Sequence, residues 1–237
     1  MIETYIIHLP RSTERANLVQ KLAEKLPNAK VLDAVDGREM PENERQSIIT
    51  EALYEPRYPF GVTPSELGCF LSHRKVWQQI GSSSATVSVV VEDDIALLPG
   101  FEETLEAVLC AADEFSFIRF PLKDREVPAL LKSTGKGTIF RPEIIGLSTG
   151  MYVIGRDAAA QLLARSEKID RAIDAWLQMR WETGIDNHAV WPTHIASAAL
   201  ETGGSTIQSK RSLRSELGRV WKRAKYRQQI AKLSKAS

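Results

Sequence analysis

Val87-Ser88-Val89-Val90-Val91-Glu92-Asp93-Asp94 is the stretch on which the reading of this chain turns. Four valines in five positions, after Gly81-Ser82-Ser83-Ser84, predict a strand buried on both faces. The strand ends in three carboxylates, whose like charges repel and resist desolvation. A divalent cation is the usual group that holds such a cluster together. Side chains alternate along a strand, so Glu92 and Asp94 share one side and Asp93 takes the other. The plainer alternative is a solvated turn in which Asp93 or Asp94 caps the next helix. The position favours a ligand, because open α/β sheets bind theirs beyond the carboxyl ends of their strands.

Upstream, residues 3–8 predict a short apolar strand, with Leu9-Pro10-Arg11-Ser12 as a turn. Ser12 can cap a helix to about residue 26, in which Ala16, Val19, Leu22, Ala23 and Leu26 follow helical spacing. Arg11 and Arg15 then stand beside the carboxyl end of the first strand, where each alone reads as a surface arginine. A second strand over 29–34 and the turn Val35-Asp36-Gly37 complete a strand–helix–strand order that opens a parallel α/β sheet. A short helix is expected over 42–52. The firmest local signal is Thr63-Pro64-Ser65-Glu66, an N-cap, a proline at the first helical position and a capping-box glutamate. The helix it starts runs to Gly81 and carries Ser72 and His73. A histidine there is more often structural than catalytic, but this one leads into the valine strand.

Downstream, Pro99-Gly100 leads into a helix over 101–112, followed by a strand over 116–120. Residues 121–147 read as a hairpin or irregular loop. A strand over 151–154, a helix over 157–164, a further helical stretch over 169–181 and two short strands over 188–191 and 195–198 follow, then a loop at 203–206. Asp170, Asp174 and Glu182 surround Trp176 and Trp181, and sugars stack on such aromatic faces. Singly each carboxylate reads as a solvated helix face with Trp176 and Trp181 in the core; as a group, one is a candidate base, with Asp174 first.

The chain of 237 residues suffices for one full core. No run of about 18 apolar residues occurs, and residues 2–9 lack a leader's cleavage site, so neither a membrane span nor a secretory leader is expected. Cys69 and Cys110 lie in apolar helical patterns and read as buried free thiols in a reducing compartment. From Gln208 onward ten basic residues face one acid, Glu216, a balance of +9; residues 1–207 carry 21 basic and 29 acidic residues, a balance of −8. An acidic body with a basic tail suggests a localised anionic partner. The tail's apolar residues Leu213, Leu217, Val220, Trp221, Ala224, Ile230 and Leu233 form a helical stripe with a gap at 226–229. A basic amphipathic helix with an interfacial tryptophan suits an anionic bilayer surface. Packing on the acidic body, or disorder, is the alternative. A domain over 1–207 and a tail over 208–237 are therefore expected.

Taken in order, these pieces resemble the family 25 glycosyltransferases, bacterial lipopolysaccharide sugar transferases related to the collagen galactosyltransferases. The resemblance rests on Ile6-Ile7-His8-Leu9-Pro10-Arg11-Ser12-Thr13-Glu14-Arg15, Asp33-Ala34-Val35-Asp36-Gly37, Thr63 to His73, Val90-Val91-Glu92-Asp93-Asp94 with Phe101, and Gly150-Met151-Tyr152-Val153-Ile154. It implies a GT-A-like, Rossmann-related α/β fold with a mostly parallel sheet flanked by helices. It implies a UDP-sugar donor, commonly UDP-galactose, with Mn2+ or Mg2+ on the diphosphate and inverting transfer to a saccharide acceptor, free or lipid-linked. Carried onto this sequence, Glu92, Asp93 and Asp94 would hold the metal. Leu9, Arg11, Arg15, Asp36, Ser72 and His73, with Glu92 and Asp93, would hold the nucleotide sugar. Two departures stand out. His8 replaces a more usual Asn, and Arg119 puts a positive charge near the ligand edge of the sheet. The expected location is cytoplasmic, peripheral on the inner membrane face through the tail. The rivals are a metal-dependent phosphohydrolase, poorly supplied with further ligands by His8, His73, His188 and His194, and a nucleic-acid-binding module. The latter lacks a stacking platform, since the tail offers only Trp221 and Tyr226, so no nucleic-acid partner is expected.

Overall fold

Three strands, β1 (Glu3–His8), β2 (Ala29–Asp33) and β3 (Val87–Glu92), lie parallel in the order β2-β1-β3 in this computed structural model. It describes residues 2–133, 137–198 and 213–236, the side chains of 213–217 excepted. The expected loop at 203–206 and the tail side chains Leu213 and Leu217 lie outside the described residues.

The sheet continues through β5 (Phe117–Arg119), β6 (Thr138–Phe140), β7 (Met151–Gly155) and β8 (Asn187–Trp191), while β4 (Ile95–Leu97) pairs with β9 (Ile195–Ser197) in a separate ribbon. The seven strands run in the order β2-β1-β3-β7-β5-β8-β6. Five share one direction; β7 and β6 run against it. The fold is therefore the expected mostly parallel α/β sheet with helices on both faces. The reversed strands and the β4–β9 ribbon were not legible, because side-chain alternation carries no strand direction.

The valine strand divides the core. Val89 and Val91 pack with Val19 and Leu22 of α1 (Ala16–Lys25) and Phe101, Leu105 and Val108 of α4 (Phe101–Ala111). Val90 packs on the other side, with Leu67, Phe70 and Trp77 of α3 (Pro64–Gly81), Leu162 of α5 (Arg156–Ala164) and Trp176 of α6 (Ile173–Leu177). Burying each such valine contributes about 1.5–3 kcal/mol. That parity carries into the acidic end. Glu92 follows Val90 toward α3, and Asp93 follows Val91 toward α1.

Local chemistry explains most boundaries. Thr63 accepts a hydrogen bond from the Glu66 N–H, and the Glu66 carboxylate accepts one from the Thr63 N–H at 2.8 Å, closing the predicted capping box. Ser12 makes no side-chain cap; a 3-10 turn, Thr13–Arg15, enters α1 instead. α2 (Glu42–Ile48) stops short of the expected end. Of the helix expected over 169–181, residues 169–172 are not helical, and the rest is broken into α6 and α7 (Arg180–Thr183) at Met179, which leaves helical geometry at ψ 73° and buries its side chain against Tyr226 and Ile230. Cys69 and Cys110 are free, but Cys110 is exposed, on the side of α4 away from Phe101, Leu105 and Val108.

The tail forms α8 (Leu213–Ala236) and docks on the body. Tyr226 and Ile230 are buried against Met179, beside Tyr54, Tyr58 and Trp181. Tyr226 Oη accepts from Arg171 Nη1 at 3.0 Å. Tyr226 falls in the gap of the predicted stripe, whereas Ile230 belongs to it, so the docking face takes in only part of the stripe. Val220 and Trp221, counted within it, are 60% and 66% exposed. No helix among the described residues is long and apolar enough to cross a membrane.

Candidate active site

The carboxyl ends of β1, β2 and β3 and the first turns of α3 enclose one cleft. Leu9, Arg11, Arg15, Asp36, Ser72, His73, Glu92, Asp93 and Asp94, the expected nucleotide and metal residues, all line it, with Ser65 and Cys69 beside them. The turn after β2 is pressed onto α3 at two glycines. A Cβ on Gly37 would stand 1.9 Å from the Pro64 carbonyl oxygen, and one on Gly68 2.5 Å from that of Val35. Ser72 locks the same joint: its Oγ accepts from the Val35 N–H at 2.8 Å and donates to the Gly68 carbonyl at 2.7 Å. Ser72 is thus buried and occupied, a positioning residue for the cleft floor. Asp36 accepts from Arg11 Nε at the rim and from the Arg38 N–H at 3.0 Å.

The three acidic residues have unequal surroundings. Asp93 is buried, with both oxygens engaged: Oδ1 accepts from Arg15 Nη1 at 2.5 Å, and Oδ2 lies 2.8 Å from His8 Nδ1 and 3.3 Å from the Leu9 N–H. Asp93, expected among the metal ligands, is held in a cage on the α1 side, where it anchors Arg15. Glu92 faces α3. Its Oε1 accepts from Thr149 Oγ1 at 2.7 Å and lies 3.2 Å from His73 Nε2. Burial pushes Glu92 up, but the contacts with His73 and Thr149 and the charge of Arg15 outweigh it and hold its carboxyl below the ordinary value. Asp94 is only approached by Arg15, at 3.8 Å. Burial and the charge of Glu92 push it up to about 6. Glu92 and Asp94 both line the cleft, and carboxylate oxygens are the donors that fit Mg2+ or Mn2+.

His73 is 1% exposed, and its Nδ1 lies 2.8 Å from Tyr152 Oη, which also accepts from Trp77 Nε1 at 3.1 Å. It is both a core histidine and a wall of the cleft. His8, Cys69 and Thr149 were not picked out as site residues. The signal for His8 was its place at the carboxyl end of β1. In the β1–β3 register Ile7 pairs with Glu92, which puts His8 beside Asp93.

The three candidate bases separate. Asp170 is buried in a two-pronged pair with Arg171, at 2.6 and 2.8 Å, and also accepts from the Tyr54 N–H at 3.1 Å. Arg171 is ringed by Tyr54, Tyr58 and Tyr226 at 5.7–5.9 Å. That pair is a structural hub. Glu182 lies on α7, where its backbone carbonyl accepts from Arg165 Nη1 at 2.7 Å. Asp174, on α6, accepts from the Ala175 N–H at 2.7 Å. Burial, then the charges of Glu66 and Glu92, push it up to about 6, and it does not line the cleft. Arg119 does not reach the ligand edge. It is buried and closed by Glu126 at 2.5 and 3.0 Å, Asn187 at 2.7 Å and the Gly146 carbonyl at 3.2 Å.

Part of the chain is similar in sequence to known proteins. Procollagen galactosyltransferase 2 of Homo sapiens is 28% identical over 116 residues, 47% of this chain and 18% of that protein. Procollagen galactosyltransferase 1 of Danio rerio is 30% identical over 111 residues, 45% of this chain and 18% of that protein. A Rattus norvegicus protein named probable inactive glycosyltransferase 25 family member 3 is 32% identical over 111 residues, 45% of this chain and 19% of that protein. The chain thus spans less than a fifth of the length of these relatives. The profile of glycosyltransferase family 25 (LPS biosynthesis protein) matches residues 1–177, which hold β1 to β3, α3, the acidic end and Asp174. The chain belongs to glycosyltransferase family 25.

Proposed function

We propose that the chain is an active hexosyltransferase that moves a sugar, galactose in first place, from a UDP-sugar to a saccharide acceptor of lipopolysaccharide or a related glycan. The observation that carries this reading is one cleft lined together by Arg11, Arg15, Glu92 and Asp94. Arg15, fixed by Asp93, and Arg11 offer positive charge to a diphosphate. Asp36 and the Leu9 backbone border the nucleoside. Glu92 and Asp94 would hold Mn2+ or Mg2+, which supplies charge neutralisation for the leaving diphosphate. Asp174 is the base that takes the acceptor hydroxyl proton in an inverting transfer.

Purified protein incubated with a panel of UDP-sugars and Mn2+ is expected to hydrolyse one of them slowly, to transfer its sugar to a saccharide acceptor, and to lose both activities with chelator. Absence of binding and turnover with every UDP-sugar overturns the reading. Phosphate release without sugar-dependent turnover would favour the phosphohydrolase alternative.

The same reading places the protein on an anionic membrane surface through α8. Docking uses Tyr226 and Ile230 and leaves Val220 and Trp221 outward. Lys235 pairs with Glu143 at 2.9 Å, while Lys222, Arg223, Lys225, Arg227 and Lys232 have no carboxylate partner among the described residues. The body's negative charge therefore leaves most of the helix's positive charge unneutralised, and anionic lipid suits it. A lipid-linked acceptor would make that attachment useful.

A further inference from the structure

We propose that Cys69, His73 and Glu92 form a second metal site, selective for a borderline transition ion with Zn2+ in first place. Cys69 and His73 stand four residues apart on α3, which puts both side chains on one helix face. Glu92 reaches them from the end of β3. One ligand atom from each lies within 4.8 Å of the other two. Tetrahedral zinc with bonds of 2.0–2.3 Å needs ligand atoms about 3.3–3.8 Å apart, a closure of about 1 Å that side-chain rotation supplies. All three line the cleft, so a fourth position opens to solvent.

The donor set separates this site from the Glu92–Asp94 pair. Thiolate and imidazole select zinc or cobalt, whereas carboxylate oxygens suit Mg2+ and Mn2+. The outer partners are in place as well. Tyr152 Oη lies 2.8 Å from His73 Nδ1, and Thr149 Oγ1 donates to Glu92 at 2.7 Å. Such contacts orient a metal-bound imidazole and carboxylate. On binding, the Cys69 S–H bond breaks and its proton goes to water. The His73 Nε2 proton that faces Glu92 passes through water to Nδ1, so the sulfur and Nε2 lone pairs go to the ion and the Nδ1–H donates to Tyr152 Oη. Burial and the charge of Glu92 keep the metal-free thiol protonated. A zinc ion here withdraws Glu92 from the hard-ion site and opposes it. That consequence rests on the proposed function, and the site itself does not.

The test uses the full chain without any nucleotide, in a Cys110→Ser background that removes the exposed thiol. Co2+ is expected to bind one per chain with a sulfur-to-cobalt charge-transfer band and four-coordinate visible absorption, both lost when Zn2+ is added. Cys69→Ser is expected to lose the charge-transfer band and to weaken zinc binding at least about tenfold. In the Cys110→Ser parent, Zn2+ is expected to slow alkylation of Cys69, read by mass spectrometry, so the answer does not depend on the Cys69 variant folding. A cobalt spectrum without thiolate character, zinc binding unchanged in folded Cys69→Ser, or alkylation unaffected by zinc would overturn the site. None of these readouts involves sugar transfer, so a failed site and a failed transferase reading remain distinct.

Discussion

At the scale of single residues, Asp174 carries the sharpest expectation. A carboxyl held up to about 6 is poised to accept a proton near neutral pH. Asp174→Asn is expected to lower turnover about 10²–10⁴-fold and to leave UDP affinity, measured by calorimetry, nearly unchanged. Turnover of the parent is expected to rise with pH through about 6, as Asp174 loses its proton. If the Asn variant keeps near-normal turnover, the base lies elsewhere. The same shift has a stability sign. The folded value stands above the ordinary 3.8, so the native state holds the proton more tightly, and stability falls as pH rises from about 4 to about 6. At pH 8 Asp174→Asn is therefore expected to raise the melting temperature, by about 2–4 °C per kcal/mol relieved. Much of the residue-level site was legible. The alternation through Val90 and Val91 sends Glu92 and Asp93 to opposite sides, as found, while Asp94 lies past the end of the strand in a turn. What alternation could not say is which carboxylate is already paired. The cage around Asp93 needs Arg15 from 78 positions away and His8 from 85.

Among elements, those fixed by local chemistry were legible and those fixed by distant contacts were not. α3 begins and ends where its capping box and Gly81 put it. The break between α6 and α7 has no local signal, since Met179 is drawn out of helix by a partner on α8. The stripe on α8 was legible at Ile230 but missed Tyr226 for a related reason. A tyrosine among lysines and arginines reads as a gap, yet its ring completes the cage around Arg171. Tyr226→Ala is expected to cost about 3–5 kcal/mol of stability, as large buried rings do. Tyr226→Phe, which removes only the hydroxyl bonded to a charged donor, is expected to cost about 1.5–3 kcal/mol. Urea midpoints with an unchanged slope measure both. A midpoint unmoved by Tyr226→Ala would mean that α8 is not docked in solution.

For the molecule as a whole, the dominant feature is the opposition of charge between residues 1–207 at −8 and the remainder at +9. Truncation at Gln208 is a poor probe of membrane attachment, because it also strips Tyr226 from Arg171. Replacing the outward pair, Val220→Ser with Trp221→Ser, leaves the docking face alone. This variant is expected to pellet with anionic vesicles at least about tenfold more weakly than the parent. Salt near 1 M, where screening lengths fall to about 3 Å, is expected to release the parent. Equal pelleting of the two would sink the attachment. The tie between Arg171 and Tyr226 also sets an order of events during synthesis. The two are 55 residues apart, so at 5–20 residues per second the ribosome delivers the tyrosine roughly 3–11 s after the arginine. Through that interval the guanidinium beside Asp170 has only two of its three aromatic walls, and Met179 lacks the cover of Tyr226 and Ile230. A nascent chain stalled between these positions would offer chaperones and proteases a surface that the finished domain never presents.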